Sequence, residues 1–166
     1  MKKILFAASE AVPFMKTGGL ADVTGSLPKY FDKKNYDVRV ILPKYVCMEE
    51  RWKGQLHFLC HFYVNLSWRK QYVGIFETTY DGITYYLVDN EFYFAGNAPY
   101  NNIYEDVEKF AFFSKAVLEA LPYLDFCPDI IHCHDWQTGL LPVFLRTLYG
   151  DEEYYTGIKT VFPSII

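Results

Sequence analysis

Two kinds of apolar pattern divide the chain. Short unbroken runs predict buried parallel strands at Lys3–Ser9, Asp37–Leu42, Asp129–His134 and Ile158–Phe162. They lack alternation, as strands covered on both faces do. Between them lie segments with a period near 3.6. Asp106–Leu121 sets Val107, Phe110, Ala111, Ser114, Val117, Leu118 and Leu121 on one face. Trp136–Leu148 reads as a second helix with Asp135 as its N-cap, and Leu20–Phe31 as a third with the stripe Leu20, Val23, Leu27 and Phe31. Gly25 and Pro28 in the last, and Pro142 in the second, conflict with unbroken helices, because an interior proline removes a hydrogen bond.

The middle of the chain changes period. Leu56, Phe58, Cys60, Phe62, Val64 and Leu66 alternate strictly, as on a half-buried strand. Two further strand-like segments flank Asp81-Gly82, a hairpin turn signal. The expected architecture is one α/β domain, a mainly parallel sheet with an antiparallel hairpin insertion.

Composition narrows the function classes. The 166 residues suffice for one domain and not for two nucleotide-binding domains. A net charge of -4 argues against nucleic acid and anionic membranes as partners, so any anion must be met by a local constellation. The N-terminal apolar run, Ile4–Ala8, is too short for a signal peptide, and Glu10 follows it closely. No stretch reaches membrane-spanning length, and a cytoplasmic protein is expected. Cys47, Cys60, Cys127 and Cys133 form no Cys-x-x-Cys pair and read as reduced, mostly buried thiols. Aromatic residues make up 19% of the chain; a large core explains most of them, although such rings also suit sugars.

Two short stretches carry chemistry. "MKTGGLADV" leaves the first strand and opens a helix, placing Lys16 beside Gly18 and Gly19. Glycines there let a ligand approach the backbone, and free N–H groups with a lysine suit a phosphate. The spacing is neither GxGxxG nor a P-loop. The plainer reading is a tight turn with a solvated lysine. "HCHD" ends the third predicted parallel strand, so His132 and His134 point the same way at the edge where open α/β sheets bind ligands. His132 reads as a core histidine, His134 as a hydrogen-bond partner for a hydroxyl-rich ligand, and Asp135 as a helix cap. A metal site would need further ligands, and only His57 and His61 remain, on the insertion.

"ASEAVPFMKTGGLADVTGSLPK", "DVEKFAFFSKAVLEAL" and "PDIIHCHDWQTGLLPVFL" together resemble bacterial glycogen synthase and plant starch synthase over nearly the whole chain, from Met1 to about Phe162. The resemblance implies a Rossmann-like N-terminal domain of a GT-B glycosyltransferase, with ADP-glucose as donor, α-1,4-glucan as acceptor, retention at the anomeric carbon, and no metal or cofactor. It implies that Lys16 contacts the donor phosphates beside Gly18 and Gly19. It further implies that His134 meets the glucose 6-hydroxyl while its carbonyl faces the anomeric carbon. It implies that Glu10 and Asp135 join His134 as catalytic residues, and that Asp22 and Tyr100 join Lys16, Gly18 and Gly19 in binding the donor or substrate. Where the family continues with a Thr-x-His-Asn segment, this sequence reads Pro163-Ser164-Ile165-Ile166. The expectation is therefore a truncated first domain, lacking the C-terminal nucleotide-binding domain and inactive alone. The alternative is a non-catalytic module that binds glucan or a sugar nucleotide.

Overall fold

Three of the apolar runs become neighbouring inner strands of one sheet, and the fourth, Ile158–Phe162, expected to be buried, becomes its exposed edge strand, in the computed structural model of the chain, which describes residues 1–163. The departure expected over Ser164–Ile166 lies outside the described residues. In chain order the elements are β1 (Lys2–Ala7), α1 (Gly19–Ser26), β2 (Tyr36–Pro43), the single turn α2 (Glu50–Lys53), β3 (His57–Leu66), β4 (Arg69–Tyr80), β5 (Ile83–Asp89), α3 (Ile103–Ala120), β6 (Ile130–Cys133), α4 (Leu140–Thr147) and β7 (Lys159–Val161). The strands lie in the order β3-β4-β5-β2-β1-β6-β7.

β5, β2, β1, β6 and β7 run parallel, while β3 and β4 add an antiparallel flank. The expected hairpin insertion is thus part of the same sheet, and one of its arms, β5, is itself a parallel strand beside β2 rather than an inserted one. Its turn at Asp81-Gly82 has positive φ at both residues, as the hairpin signal requires. Along β1, Leu5 and Ala7 face a core shared with α3 and α4. Ile4 and Phe6 face a second core with Phe14, Val40 and Leu87. Burial on both faces is why these strands show no alternation.

Several details differ from the sequence expectation. The helix expected over Leu20–Phe31 ends at Ser26, and a 3-10 turn at Leu27–Tyr30 carries Pro28 at its start, where a missing N–H costs nothing. The same helix buries Ala21, Thr24 and Gly25, whereas Val23 and Leu27 of the expected stripe are exposed. Its small face lets α1 lie against the backbone of Val12: a Cβ on Gly25 would stand 2.6 Å from the Val12 carbonyl oxygen.

The expected Trp136–Leu148 helix is a 3-10 turn, Trp136–Thr138, followed by α4. Pro142 falls in the first turn of α4, where its nitrogen needs no helical acceptor. In β3 the pairing shifts between Phe58 and Cys60, a bulge at Leu59. Phe58 therefore turns to the face of Phe76, while Phe62 and Val64 keep to the core of α3. On α3, finally, Val107 is exposed, and Phe113, Ala116 and Ala120 are buried with Asp106 and Lys109. Of the four cysteines only Cys133 is buried and Cys127 is exposed, so "mostly buried" does not hold.

Candidate active site

β1 and β6 are neighbours, with Ala7 beside Cys133, so the loops that follow them leave the same edge of the sheet. The chain turns outward here, to β2 and β5 on one side and β6 and β7 on the other. Such a switch point leaves a crevice beyond the carboxyl ends of the strands.

The loop after β1 is organised by Glu10, which is only 2% exposed. Its carboxylate accepts from the Thr17 hydroxyl at 2.5 Å, the Thr17 N–H at 3.2 Å and the Gly18 N–H at 3.2 Å. Tyr100 donates to it at 3.1 Å, and the Ser9 hydroxyl lies 2.7 Å from the same phenol. Burial pushes the Tyr100 phenol well above its ordinary range, so it remains a donor. Tyr45 closes the group by donating to the Ser9 carbonyl at 2.7 Å. The carbonyl of Glu10 accepts from Thr24 of α1 at 2.6 Å, which ties the helix to the strand end.

Lys16 and Asp22 lie outside this buried group. The ammonium contacts both Asp22 oxygens at 2.8 Å, and each side chain is 53% exposed. Gly18 caps α1 and Gly19 is its first residue. A Cβ at either glycine would meet nothing within 4 Å. Packing within the chain therefore does not demand glycine here. Close approach of something outside it would.

On the other side of the crevice His134 is buried, with its N–H on the carbonyl of Ala7 at 3.0 Å. His132 Nδ1 and His134 Nε2 are 2.6 Å apart, and both rings pack on Phe6. Burial, with the neighbouring His132, lowers the pKa of His134 to about 4, and burial lowers that of His132, so both are neutral at pH 7. The buried Thr138 hydroxyl donates to the His134 carbonyl at 2.9 Å. Asp135 stands between them at φ 63°, ψ 177°, a conformation that costs a non-glycine residue on the order of 1–3 kcal/mol. Its carboxylate accepts from the Trp136 N–H at 2.7 Å, so it caps the short turn, as the sequence suggested for a helix.

All eight residues singled out in the sequence therefore lie on the two loops of this edge, in the first turn of α1 or, for Tyr100, in the segment before α3. The structure brings Glu10, Gly18 and Tyr100 into one hydrogen-bonded group, pairs Lys16 with Asp22, and sets His134 and Asp135 on the facing turn. Ser9, Thr17, Tyr45 and Thr138 also build the site and were missed. Thr17 lies inside the glycine stretch itself, but the others had no sequence signal beyond nearness to a strand end. His132, taken for a core histidine, is half-buried and is the partner of His134. His57 and His61 sit on β3, at the far flank of the sheet. Among the described residues, no three His, Cys, Asp or Glu side chains gather as a metal site.

A family model described as the starch synthase catalytic domain matches residues 3–163. The chain belongs to this family. It is 66% identical over 161 residues to a glycogen synthase of Lachnoclostridium phytofermentans, covering 97% of this chain and 34% of that protein. It is 61% identical over 161 residues to one of Lachnospira eligens, with the same coverage. The chain thus spans about a third of the length of the curated relatives it matches. Among solved structures it resembles the catalytic domain of starch synthase IV from Arabidopsis thaliana bound to ADP and acarbose. That match has a TM-score of 0.84 and 29% identity, over 97% of this chain and 33% of that one. The fold is therefore the Rossmann-like part of a GT-B glycosyltransferase, as the family resemblance implied. No helix among the described residues is long and apolar enough to cross a membrane.

Proposed function

We propose that this starch synthase family chain forms one wall of a glucosyltransferase cleft. The complete enzyme would transfer glucose from ADP-glucose to the non-reducing end of an α-1,4-glucan with retention of configuration. The observation that carries the reading is the shared edge of β1 and β6, which sets an open, lysine-bearing glycine loop opposite a buried neutral histidine. The relatives named glycogen synthase agree with it, as does the starch synthase solved with ADP and acarbose. The rest of the cleft belongs, on this reading, to the part of the relatives that this chain does not span.

Each group has a physical task. The departing diphosphate carries the charge that transfer must stabilise. Lys16 supplies a cation, and the first N–H groups of α1 point where a phosphate approaching Gly19 would lie. Asp22 holds the lysine over the loop but leaves one ammonium donor free. Glu10 takes up the Thr17 and Gly18 N–H groups and so shapes the loop without touching the ligand. His134, uncharged, offers Nδ1, the ring nitrogen not engaged by His132, to a sugar hydroxyl. Thr138 and the strained Asp135 fix the direction of the His134 carbonyl, which the reading aims at the anomeric centre.

The test is calorimetric titration of ADP-glucose into the chain and into Lys16→Ala. Saturable binding weakened about tenfold or more by the substitution is expected, since a charge-assisted phosphate contact is worth about 1.5–3 kcal/mol. Equal binding by the two proteins removes Lys16 from the donor site and overturns the reading.

A further inference from the structure

The crevice as described makes no use of one buried ion pair. Lys109 and Asp106 lie one turn apart on the inner face of α3, both more than nine-tenths buried, with the ammonium 3.1 Å from Oδ1. Burying two charges gains little for folding, because lost hydration offsets most of their attraction. What the pair holds besides itself points to another task.

It holds the backbone on both sides of Tyr100. The ammonium donates to the Pro99 carbonyl at 2.9 Å, and the carboxylate accepts the Asn101 N–H, 3.0 and 3.1 Å from its two oxygens. These are the two peptide groups that flank Tyr100, one gripped through its C=O and one through its N–H. Peptide groups are planar, so fixing both fixes the φ and ψ between them. The third ammonium donor goes to Asn101 Oδ1 at 2.6 Å, which leaves no proton of Lys109 unused. Phe110 backs the tyrosine ring, with centroids 5.9 Å apart. Between β5 and α3 the chain forms only turns, bends and irregular backbone, so these contacts do there what a helix or strand ladder does elsewhere.

From Tyr100 the connection runs into the loop after β1. The phenol donates to Glu10 Oε2, which also accepts the Thr17 N–H, while Oε1 accepts the Gly18 N–H. Glu10 is buried, so a tyrosine moved out of place leaves its carboxylate short of a partner that water does not readily replace. We propose that the Lys109–Asp106 pair is a positioning device for the crevice: it sets Tyr100 against Glu10 and, through Glu10, the shape of the loop that carries Lys16. Neither residue of the pair touches a ligand. The consequence for ADP-glucose rests on the donor reading above, and the consequence for the loop does not.

Amide hydrogen exchange followed by NMR tests it in the ligand-free chain, with circular dichroism to confirm folding and ADP-glucose titration beside it. Lys109→Met should speed exchange at Thr17 and Gly18 about tenfold or more, the effect of one lost hydrogen bond to a charged group. Tyr100→Phe should do the same, and the double variant should be no faster than either, because both act through one contact. Val117→Ala removes buried volume from the same helix without touching the segment. It should lower stability and leave the two amides as in the wild type. Asn101 is exposed, so Asn101→Ala should fold even where Lys109→Met does not. It removes one acceptor of the ammonium and should speed the same amides by a smaller factor.

Wild-type exchange in Lys109→Met would overturn the proposal, as would wild-type exchange in Asn101→Ala should the first variant not fold. So would additive effects in the double variant, or equal acceleration in Val117→Ala. A chain that binds ADP-glucose through Lys16 but is not weakened by Lys109→Met also overturns it. A wild type that binds no ADP-glucose, or binds it equally in Lys16→Ala, removes the donor reading, and the amides of Thr17 and Gly18 still decide the role of the pair.

Discussion

After β1 the chain leaves the sheet through a loop whose N–H groups are gathered by one buried carboxylate. After β6 it leaves through a tight turn held by a threonine hydroxyl and two neutral imidazoles. The first side keeps its charges in water, as the half-exposed Lys16–Asp22 pair shows. The second keeps water away from His134. On the proposed reading, the difference matches the two parts of a glucosyl nucleotide: a diphosphate needs cations and free N–H groups, and a sugar needs fixed, uncharged hydrogen-bond partners. It also separates the buried groups that fold the loop from those at its surface. Glu10 works inside the fold, and Lys16 works at the surface.

Breaking the first side at its organiser should have the largest effect. Glu10→Ala leaves the Thr17 and Gly18 N–H groups and the Thr17 and Tyr100 hydroxyls without their acceptor. Loss of a buried carboxylate with several donors should destabilise the chain by roughly 3 kcal/mol or more. Urea unfolding measures it, and a loss below about 1 kcal/mol would mean that the loop holds its shape without Glu10.

The second side should reveal itself through pH. His134 titrates near 4 in the folded chain, against an ordinary 6.5. The unfolded chain therefore binds the extra proton first as pH falls. The stabilising contribution is complete above about pH 6.5 and is lost progressively down to about pH 4, up to roughly 3 kcal/mol in all. His134→Gln should flatten the stability profile across that window. A profile as steep as that of the wild type would place the titration on another group.

Two glycines of α1 sharpen the contrast between folding and ligand contact. A Cβ on Gly25 would stand 2.3 Å from the Val12 side chain and 2.6 Å from its carbonyl oxygen, whereas one on Gly19 meets open space. Gly25→Ala should therefore cost about 1–3 kcal/mol, the usual range for forced overpacking. Gly19→Ala should leave stability unchanged or raise it by about 0.4–1 kcal/mol. The same Gly19→Ala protein should nonetheless bind ADP-glucose more weakly, because the new methyl stands where the phosphate would approach. Thermal unfolding and the titration, done on one preparation of each variant, compare the two.

How far the sequence foretold this arrangement depended on whether a feature is written in side-chain size. The parallel strands β1, β2 and β6 were legible as continuous apolar runs, whereas β5 read as an arm of an antiparallel insertion and β7, exposed at the edge, read as buried. Knowing that β1 and β6 end at a binding edge was enough to single out Lys16, Gly18, Gly19 and His134. The buried face of α1 was not legible, because Ala21, Thr24 and Gly25 pack through smallness and carry no hydrophobic period. The bulge at Leu59 was hidden by an alternation that continued across it. Pro142 looked like a helix breaker only because the preceding 3-10 turn was read as part of one long helix. In the site, Tyr45 and Tyr100 reach the Ser9-Glu10 corner from two distant parts of the chain. No local pattern encodes such a meeting.

The smallest effect belongs to the Lys16–Asp22 pair. Its 2.8 Å contacts are short, but both side chains are 53% exposed, so water and salt compete for each charge. Exposed ion pairs are worth roughly 0.2–1 kcal/mol. Lys16→Ala and Asp22→Ala should each shift folding stability by less than about 1 kcal/mol, and a double-mutant cycle should give a coupling inside that range which shrinks in high salt. Measured by urea unfolding beside Glu10→Ala, the cycle divides the loop into an inner part that holds the fold and an outer part free to change partner. A salt-insensitive coupling well above 1 kcal/mol would make Lys16 a structural residue. The ammonium would then be committed to Asp22, and the difference between the loop's buried carboxylate and its surface cation would disappear.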